Sequence, residues 1–354
     1  EKLIGMWMSP NSKKLFLKTN FAKYYLCDVD AIKHKYADQG KLNSKPGGIY
    51  TVKKLIKKNW DIRVVNWCDD NKFLAGTVDG NVLLINSVNK DGKLKNDAEV
   101  TYVYQSKATI DGIFLGKDGN FIIASGSKIM YWKKFEVTQN LLSDSPSETE
   151  EFEQLRKETG NKFGSHNDTF AWITEIGIVF GKATSKSRVL SNAKVILSVE
   201  LPESKHTIRD IILTDFHIII LRGWTITVLS QLTNAVVFEE SIWNQNGERM
   251  LGLAADYSQD PPTYWCYSSS NIYEIILHRE SQAVWKILCD LKDYDTALKL
   301  KGLTKWEIEC LNYHQGCHLL DENSSIAAAK SFGLSSSTVG SIALRLMESG
   351  NSES

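Results

Sequence analysis

Short runs of β-branched and aromatic residues, broken by tight polar turns, fill most of this chain, and they recur in pairs. Leu15-Phe16-Leu17 leads into Tyr24-Tyr25-Leu26, Phe73-Leu74-Ala75 into Val82-Leu83-Leu84-Ile85, and Phe121-Ile122-Ile123 into Ile129-Met130-Tyr131-Trp132. The same arrangement joins Phe170-Ala171-Trp172-Ile173 to Ile178-Val179-Phe180, Ile218-Ile219-Ile220 to Thr225-Ile226-Thr227-Val228, and Tyr264-Trp265-Cys266 to Ile272-Tyr273-Glu274-Ile275-Ile276. The turns centre near Asn20, Asp79, Gly126, Glu175, Arg222 and Ser269, so successive copies lie 59, 47, 49, 47 and 47 residues apart. A small sheet built on one hairpin cannot bury both faces alone. Stacking such sheets around an axis buries them, so a repeat in the forties with several strands per unit predicts a β-propeller.

A third run with its own turn precedes the hairpins, as in Trp7-Met8 before Pro10-Asn11, Val64–Trp67 before Asp69-Asp70-Asn71, and Ile113–Leu115 before Lys117-Asp118-Gly119. Ile211–Leu213 and Leu251–Leu253 repeat it later in the chain. Asn, Asp, Gly and Pro supply the positive φ or the side-chain-to-backbone bonds that such turns need. Fourth strands are less uniform, with Thr101–Tyr104, Val195–Val199 and Ala235–Phe238 as candidates. Two insertions interrupt the period. The first, about Ala31–Lys58, accounts for the long spacing. The second, Ser143–Lys162, is acidic, and Ser147 followed by Glu150 reads as a capping box opening a short helix.

Near Glu280 the apolar period changes from two to 3.6. Ala283-Val284, Ile287-Leu288 and Leu291 fall on one helical face, followed by Tyr294 and Ala297-Leu298. Further helical stretches cover about Lys305–Leu319 and Ser325–Phe332, and another begins near Ser337. Short helices joined by Gly and Ser turns are how an α-solenoid begins. The expected domains are thus residues 1–280, a propeller, and residues 281–354, the first solenoid helices. Trp285 follows the last strand closely and starts the helical stripe, which marks it for burial where the two meet.

Composition narrows the function. Lys plus Arg equals Asp plus Glu at 42 each, so no global field points to nucleic acid. No apolar run is long enough for a transmembrane helix. The start, Glu1-Lys2-Leu3-Ile4-Gly5-Met6-Trp7, is neither a signal sequence nor a natural beginning and reads as internal. Six scattered cysteines, at 27, 68, 266, 289, 310 and 317, sit inside apolar patterns, the usage of buried thiols in a reducing cytosol.

Several segments together carry a likeness beyond periodicity: Leu251–Asp256, Thr263–Ser268, Asn271–Ile276, Val284-Trp285-Lys286, Tyr294-Asp295 and Ala297–Leu300. Phe170–Thr174, Gly177–Gly181, Val228–Leu232 and the stretch from Met8-Ser9-Pro10 to Thr19-Asn20-Phe21 extend it. The chain resembles the fungal form of the Deep-orange, class C vacuolar protein sorting family over essentially its whole length. That resemblance implies a non-enzymatic scaffold of the HOPS and CORVET tethering complexes. It implies other class C subunits as partners, indirect links to SNAREs and Rab GTPases, and a peripheral place on the cytosolic face of late endosomes and the vacuole. The family has more propeller upstream and ends in a zinc-binding RING domain, and no such Cys/His array occurs here. The fold expectation is therefore mainly β: a propeller of six to seven blades with the first missing or incomplete, then the start of an α-solenoid.

Candidate chemistry is weighed against this frame. Cys310, His314, Cys317 and His318 share a helical face and are zinc-type donors, but i and i+8 lie about 12 Å apart on a straight helix, so packing is the preferred reading. Asp69-Asp70 and Glu239-Glu240 invite comparison with hydrolytic propellers; turn geometry is the competing account. No nucleophile elbow, phosphate loop or zincin motif occurs, so no catalytic residue, cofactor or metal is assigned. Lys33, Lys35, Lys53, Lys54, Lys57 and Lys58 form a basic cluster, with Lys53, Lys54, Lys57 and Lys58 the candidate weak contact to an anionic surface and a solvated loop the competing reading. Alternatives to the tethering role are a coat or intraflagellar-type scaffold and a hydrolytic propeller.

Overall fold

The computed structural model describes residues 2–37, 48–89, 93–116, 118–136, 145–151, 163–174, 177–183, 189–190, 193–197, 208–242 and 250–350. By contact, the chain parts into one compact unit of Glu1–Leu229 with Val236–Ile275 and another of Ser230–Ala235 with Ile276–Ser354.

The first unit is a six-bladed β-propeller, the lower of the two expected counts, in which every sheet is an antiparallel meander. Sheet one holds β1 (Leu3–Met8), β2 (Lys14–Thr19), β3 (Tyr24–Asp28) and β4 (Ile49–Thr51), with helix α1 (Val29–Ala37) between the last two and α2 (Lys53–Lys57) after them. Sheet two holds β5 (Ile62–Trp67), β6 (Lys72–Thr77), β7 (Asn81–Val88) and β8 (Leu94–Gln105). Sheet three holds β9 (Ile110–Leu115), β10 (Phe121–Ser125), β11 (Lys128–Trp132) and β12 (Glu148–Glu151). Sheet four holds β13 (Phe163–His166), β14 (Thr169–Ile173), β15 (Gly177–Lys182) and β16 (Lys194–Leu197). Sheet five holds β17 (Ile208–Leu213), β18 (His217–Arg222), β19 (Thr225–Ser230) and β20 (Val236–Ser241). Sheet six has three strands: β21 (Gly252–Asp256), β22 (Thr263–Tyr267) and β23 (Ile272–Ile275).

The first strands of sheets two to six are innermost, since β5 lies against β9, β9 against β13, β13 against β17, and β17 against β21. Close approach there forbids some side chains. A Cβ on Gly112 of β9 would sit 2.3 Å from the Phe163 ring of β13. The Val78–Asn81 hairpin also needs its glycine, because Gly80 has φ +85° and its missing Cβ leaves room for the Ser106 carbonyl. Between blades the packing is apolar on apolar. Phe16, Tyr24 and Leu26 meet Phe73, Leu83 and Ile85, while Leu74 and Val82 meet Phe121, Ile123 and Trp132. Each such fully buried side chain contributes roughly 1.5–3 kcal/mol of burial energy.

Burial differs between middle and end sheets. The second strands of sheets two to five are buried on both faces: β10 throughout, and β6, β14 and β18 but for their first residues. Strand β22 alternates instead, and β2 buries only Phe16 and Thr19 fully. Leu3, Ile4, Met6 and Met8 of β1 and Ile272 of β23 are exposed. Among the described residues, apolar side chains are thus exposed on sheets one and six, and also on the edge strand β20 of sheet five at Val236, Val237 and Phe238.

Several local expectations change. Ser147–Glu150 opens no helix: Glu148–Glu151 is the fourth strand of sheet three, paired residue by residue with Lys128–Tyr131. An edge awaiting a partner outweighs a four-residue capping signal. Residues 152–162, the rest of that expected helix, lie outside the described residues, as does the turn near Glu175. The first insertion is not merely a loop, since it contributes most of α1 together with β4 and α2. The first strand of sheet four, β13, has four residues of which only Phe163 is a large apolar one, which hid it from the apolar pattern. The three fourth-strand candidates fall in β8, β16 and β20. Of the candidate Val195–Val199, strand β16 takes up the part to Leu197, and residues 198 and 199 lie outside the described residues.

The second unit carries α3 (Val284–Asp290), α4 (Tyr294–Ala297), α5 (Lys305–Asp321), α6 (Ser325–Gly333) and α7 (Val339–Gly350). Val284, Trp285, Leu288, Tyr294 and Ala297 are buried, as the stripe predicts, but Ala283 and Leu291 are exposed. Leu291 caps α3, and the next residue, Lys292, turns the chain at φ +60°. Thr304 and Glu307 close a capping box on α5, satisfying two otherwise orphaned groups. Helices α5 and α6 pack through Phe332, whose ring fills the space a Cβ on Gly316 would need.

Candidate interaction surfaces

Helix α2 is short but firmly seated. Val52 and Leu55 are fully buried, and Trp60 just beyond is buried with its ring edge-on to Tyr102 at 5.2 Å. Lys53, Lys54, Lys57 and Lys58 are all exposed around this anchor. Lys54 Nζ donates to the Val100 carbonyl at 2.8 Å. Lys33 is exposed on α1, and the side chain of Lys35 lies outside the described residues. The sequence cluster is therefore divided between two helices.

Trp285 lies in the first turn of α3, buried, with its ring edge-on to Trp306 at 5.9 Å. Hydrogen bonds from the Thr304 backbone and side chain hold the Glu307 carboxyl below its usual range, and the Trp285 indole adds to them. These contacts all lie within the helical unit.

Three carboxylates, on Asp111, Asp210 and Glu148, join neighbouring blades. Buried Asp111 on β9 pairs with Arg63 on β5 at 3.2 Å. Buried Asp210 on β17 accepts from Leu253 N–H on β21 at 2.9 Å. Glu148 on β12 accepts from the N–H groups of Val189 and Leu190 at 3.0 and 2.8 Å. His166 Nε2 lies 2.9 Å from Asp215 Oδ1, and the His166 ring stacks on Tyr257 at 4.1 Å, linking sheets four, five and six. Burial pushes the Tyr257 hydroxyl up, and it donates to the Leu213 carbonyl. Sequence reasoning missed these ties; an acid inside an apolar strand, as at Asp111 and Asp210, was the available signal.

Asp69 accepts from Asn71 and Lys72 N–H groups, which is turn chemistry. Glu239 and Glu240 do not share it. They belong to β20, where Glu239 pairs with the buried Arg222 at 3.3 Å. On α5, Cys317 Sγ accepts from Arg345 of α7 at 3.0 Å, and His318 lies 3.7 Å from Glu322. Among the described residues no group of three or more His, Cys, Asp or Glu side chains is placed to hold a metal ion.

Residues 1–277 match the profile of the Pep3/Vps18/deep orange beta-propeller domain. Vacuolar membrane protein pep3 of Schizosaccharomyces pombe is 23% identical over 96 residues, 27% of this chain. That match spans only 10% of the length of the pep3 protein. The solved structure of Kluyveromyces lactis Hsv2 is similar over 79% of this chain and 75% of its own, at 11% identity and a TM-score of 0.48.

Proposed function

Because the chain belongs to the Pep3/Vps18/deep orange family, and so is a class C vacuolar sorting protein, we propose that it serves as a non-enzymatic scaffold subunit of the HOPS and CORVET tethering complexes. The observation that carries this reading is the family match, which runs through all six sheets. The family is one of vacuolar sorting proteins rather than a class of enzymes. In this reading residues 1–280 offer propeller rims to partners, and residues 281–354 begin a solenoid with Trp285 at its root. Other class C subunits are the direct partners, and SNAREs and Rab GTPases are engaged through them. The chain sits peripherally on the cytosolic face of late endosomes and the vacuole. Among the described residues no helix is long and apolar enough to cross a membrane, and the pep3 relative is named as a vacuolar membrane protein.

Retention of purified class C subunits by immobilised residues 1–354 tests the proposal. At least one subunit should be retained at physiological salt. If the folded chain retains none, the scaffold role does not reside in residues 1–354.

A further inference from the structure

Helix α2 presents a lysine face, and we infer that this face docks on an anionic lipid bilayer, an inference that rests on the peripheral membrane role proposed above. At 100° per residue, Lys53, Lys57, Lys54 and Lys58 span a sector of about 140°. Leu55 lies outside that sector and is fully buried, as is Val52 at the N-cap. Lys54 is drawn to the Val100 carbonyl, leaving Lys53, Lys57 and Lys58 exposed with no ion pair to a described carboxylate. Glu99 is exposed on neighbouring β8 and leaves the set net positive.

The mounting matters as much as the charge. A lysine loop must be ordered before it binds, whereas these lysines project from a helix already fixed by Val52, Leu55 and Trp60. Ile56 is 37% exposed beside them and Tyr102 is 44% exposed on the adjoining strand. Apolar groups among lysines suit the headgroup region of a bilayer, where lysine stems lie along apolar surface while their ammonium groups stay in water. A peptide of acidic residues alone would leave them uncovered. One isoleucine is too little for insertion, so electrostatics carries the attraction, at about 1 kcal/mol per lysine.

Flotation of the full chain with phosphatidylcholine vesicles, with and without phosphatidylserine, tests this at low ionic strength and millimolar lipid. Binding should require phosphatidylserine and fall as salt rises, because screening shortens to about 8 Å at physiological strength. Replacing Lys53, Lys57 and Lys58 together by Ala should weaken it roughly a hundredfold, with an unchanged circular dichroism spectrum. Replacing Lys301 and Lys330 by Ala should leave it intact. Equal loss in both variants would reduce the effect to net charge and overturn the inference. So would binding to soluble polyglutamate without vesicle binding, or no vesicle binding at all. Failure here with class C subunits still retained would sink this inference alone; loss of both would remove the scaffold reading with it.

Discussion

Individual residues hold this propeller through groups that burial has made hard to ionise. Burial pushes the Cys27 and Cys266 thiols from 9.0 to about 11 and Cys68 to about 12. It pushes the Tyr24 hydroxyl from 10.0 to about 12. Well below pH 9 these groups are protonated in both folded and unfolded chains, so their contribution is fully present. As pH rises from 9 towards 12 the unfolded chain releases its protons first, and stability falls. The thermal midpoint should therefore drop through that window, and native iodoacetamide labelling near pH ~7.5, read by mass spectrometry, should spare these three cysteines. Tyr24 also spans blades: its hydroxyl donates to the Trp60 carbonyl and accepts from Ile62 N–H, each at 2.9 Å. Tyr24→Phe leaves both buried groups unpaired and should cost about 1–3 kcal/mol in denaturant unfolding.

At the scale of elements, stability depends on how each strand or helix is covered. Helix α3 has only seven residues, too few to persist alone, so its buried face must carry it. Trp285→Ala removes the largest side chain of that face and should cost about 3–5 kcal/mol. The loss should appear as a lower melting midpoint in the helical circular dichroism signal; an unchanged midpoint would show that the indole contributes little there.

For the propeller as a whole, one consequence of its burial pattern lies at the first sheet. Met6 and Met8 expose apolar surface on the outer face of sheet one, beside the half-buried Leu15 and Leu17. Exposed contiguous apolar surface promotes association. The chain should self-associate as concentration rises, and Met6→Lys with Met8→Lys should reduce that association in sedimentation velocity without altering the fold. Equal association by the double variant would mean that this face is not adhesive.

The chain's own pattern was enough to show six repeated hairpins, because each pairs short apolar runs across a local turn such as Val78–Asn81. It also showed where the helical period starts, since Val284, Trp285 and Leu288 recur on one face. Local contacts leave local signatures. What the pattern missed depends on partners distant in sequence. Glu148–Glu151 is polar and became a strand only because Lys128–Tyr131 offered an edge, and β13 became the inner strand of sheet four although Phe163 is its one large apolar residue. Asp111 and Asp210 gain their roles only where the fold brings them to Arg63 and Leu253. Likewise, the lysines of residues 53–58 read in sequence as a basic cluster, either a weak contact to an anionic surface or a solvated loop. Only burial of Val52 and Leu55 in the tertiary structure fixed which side of that run faces outward.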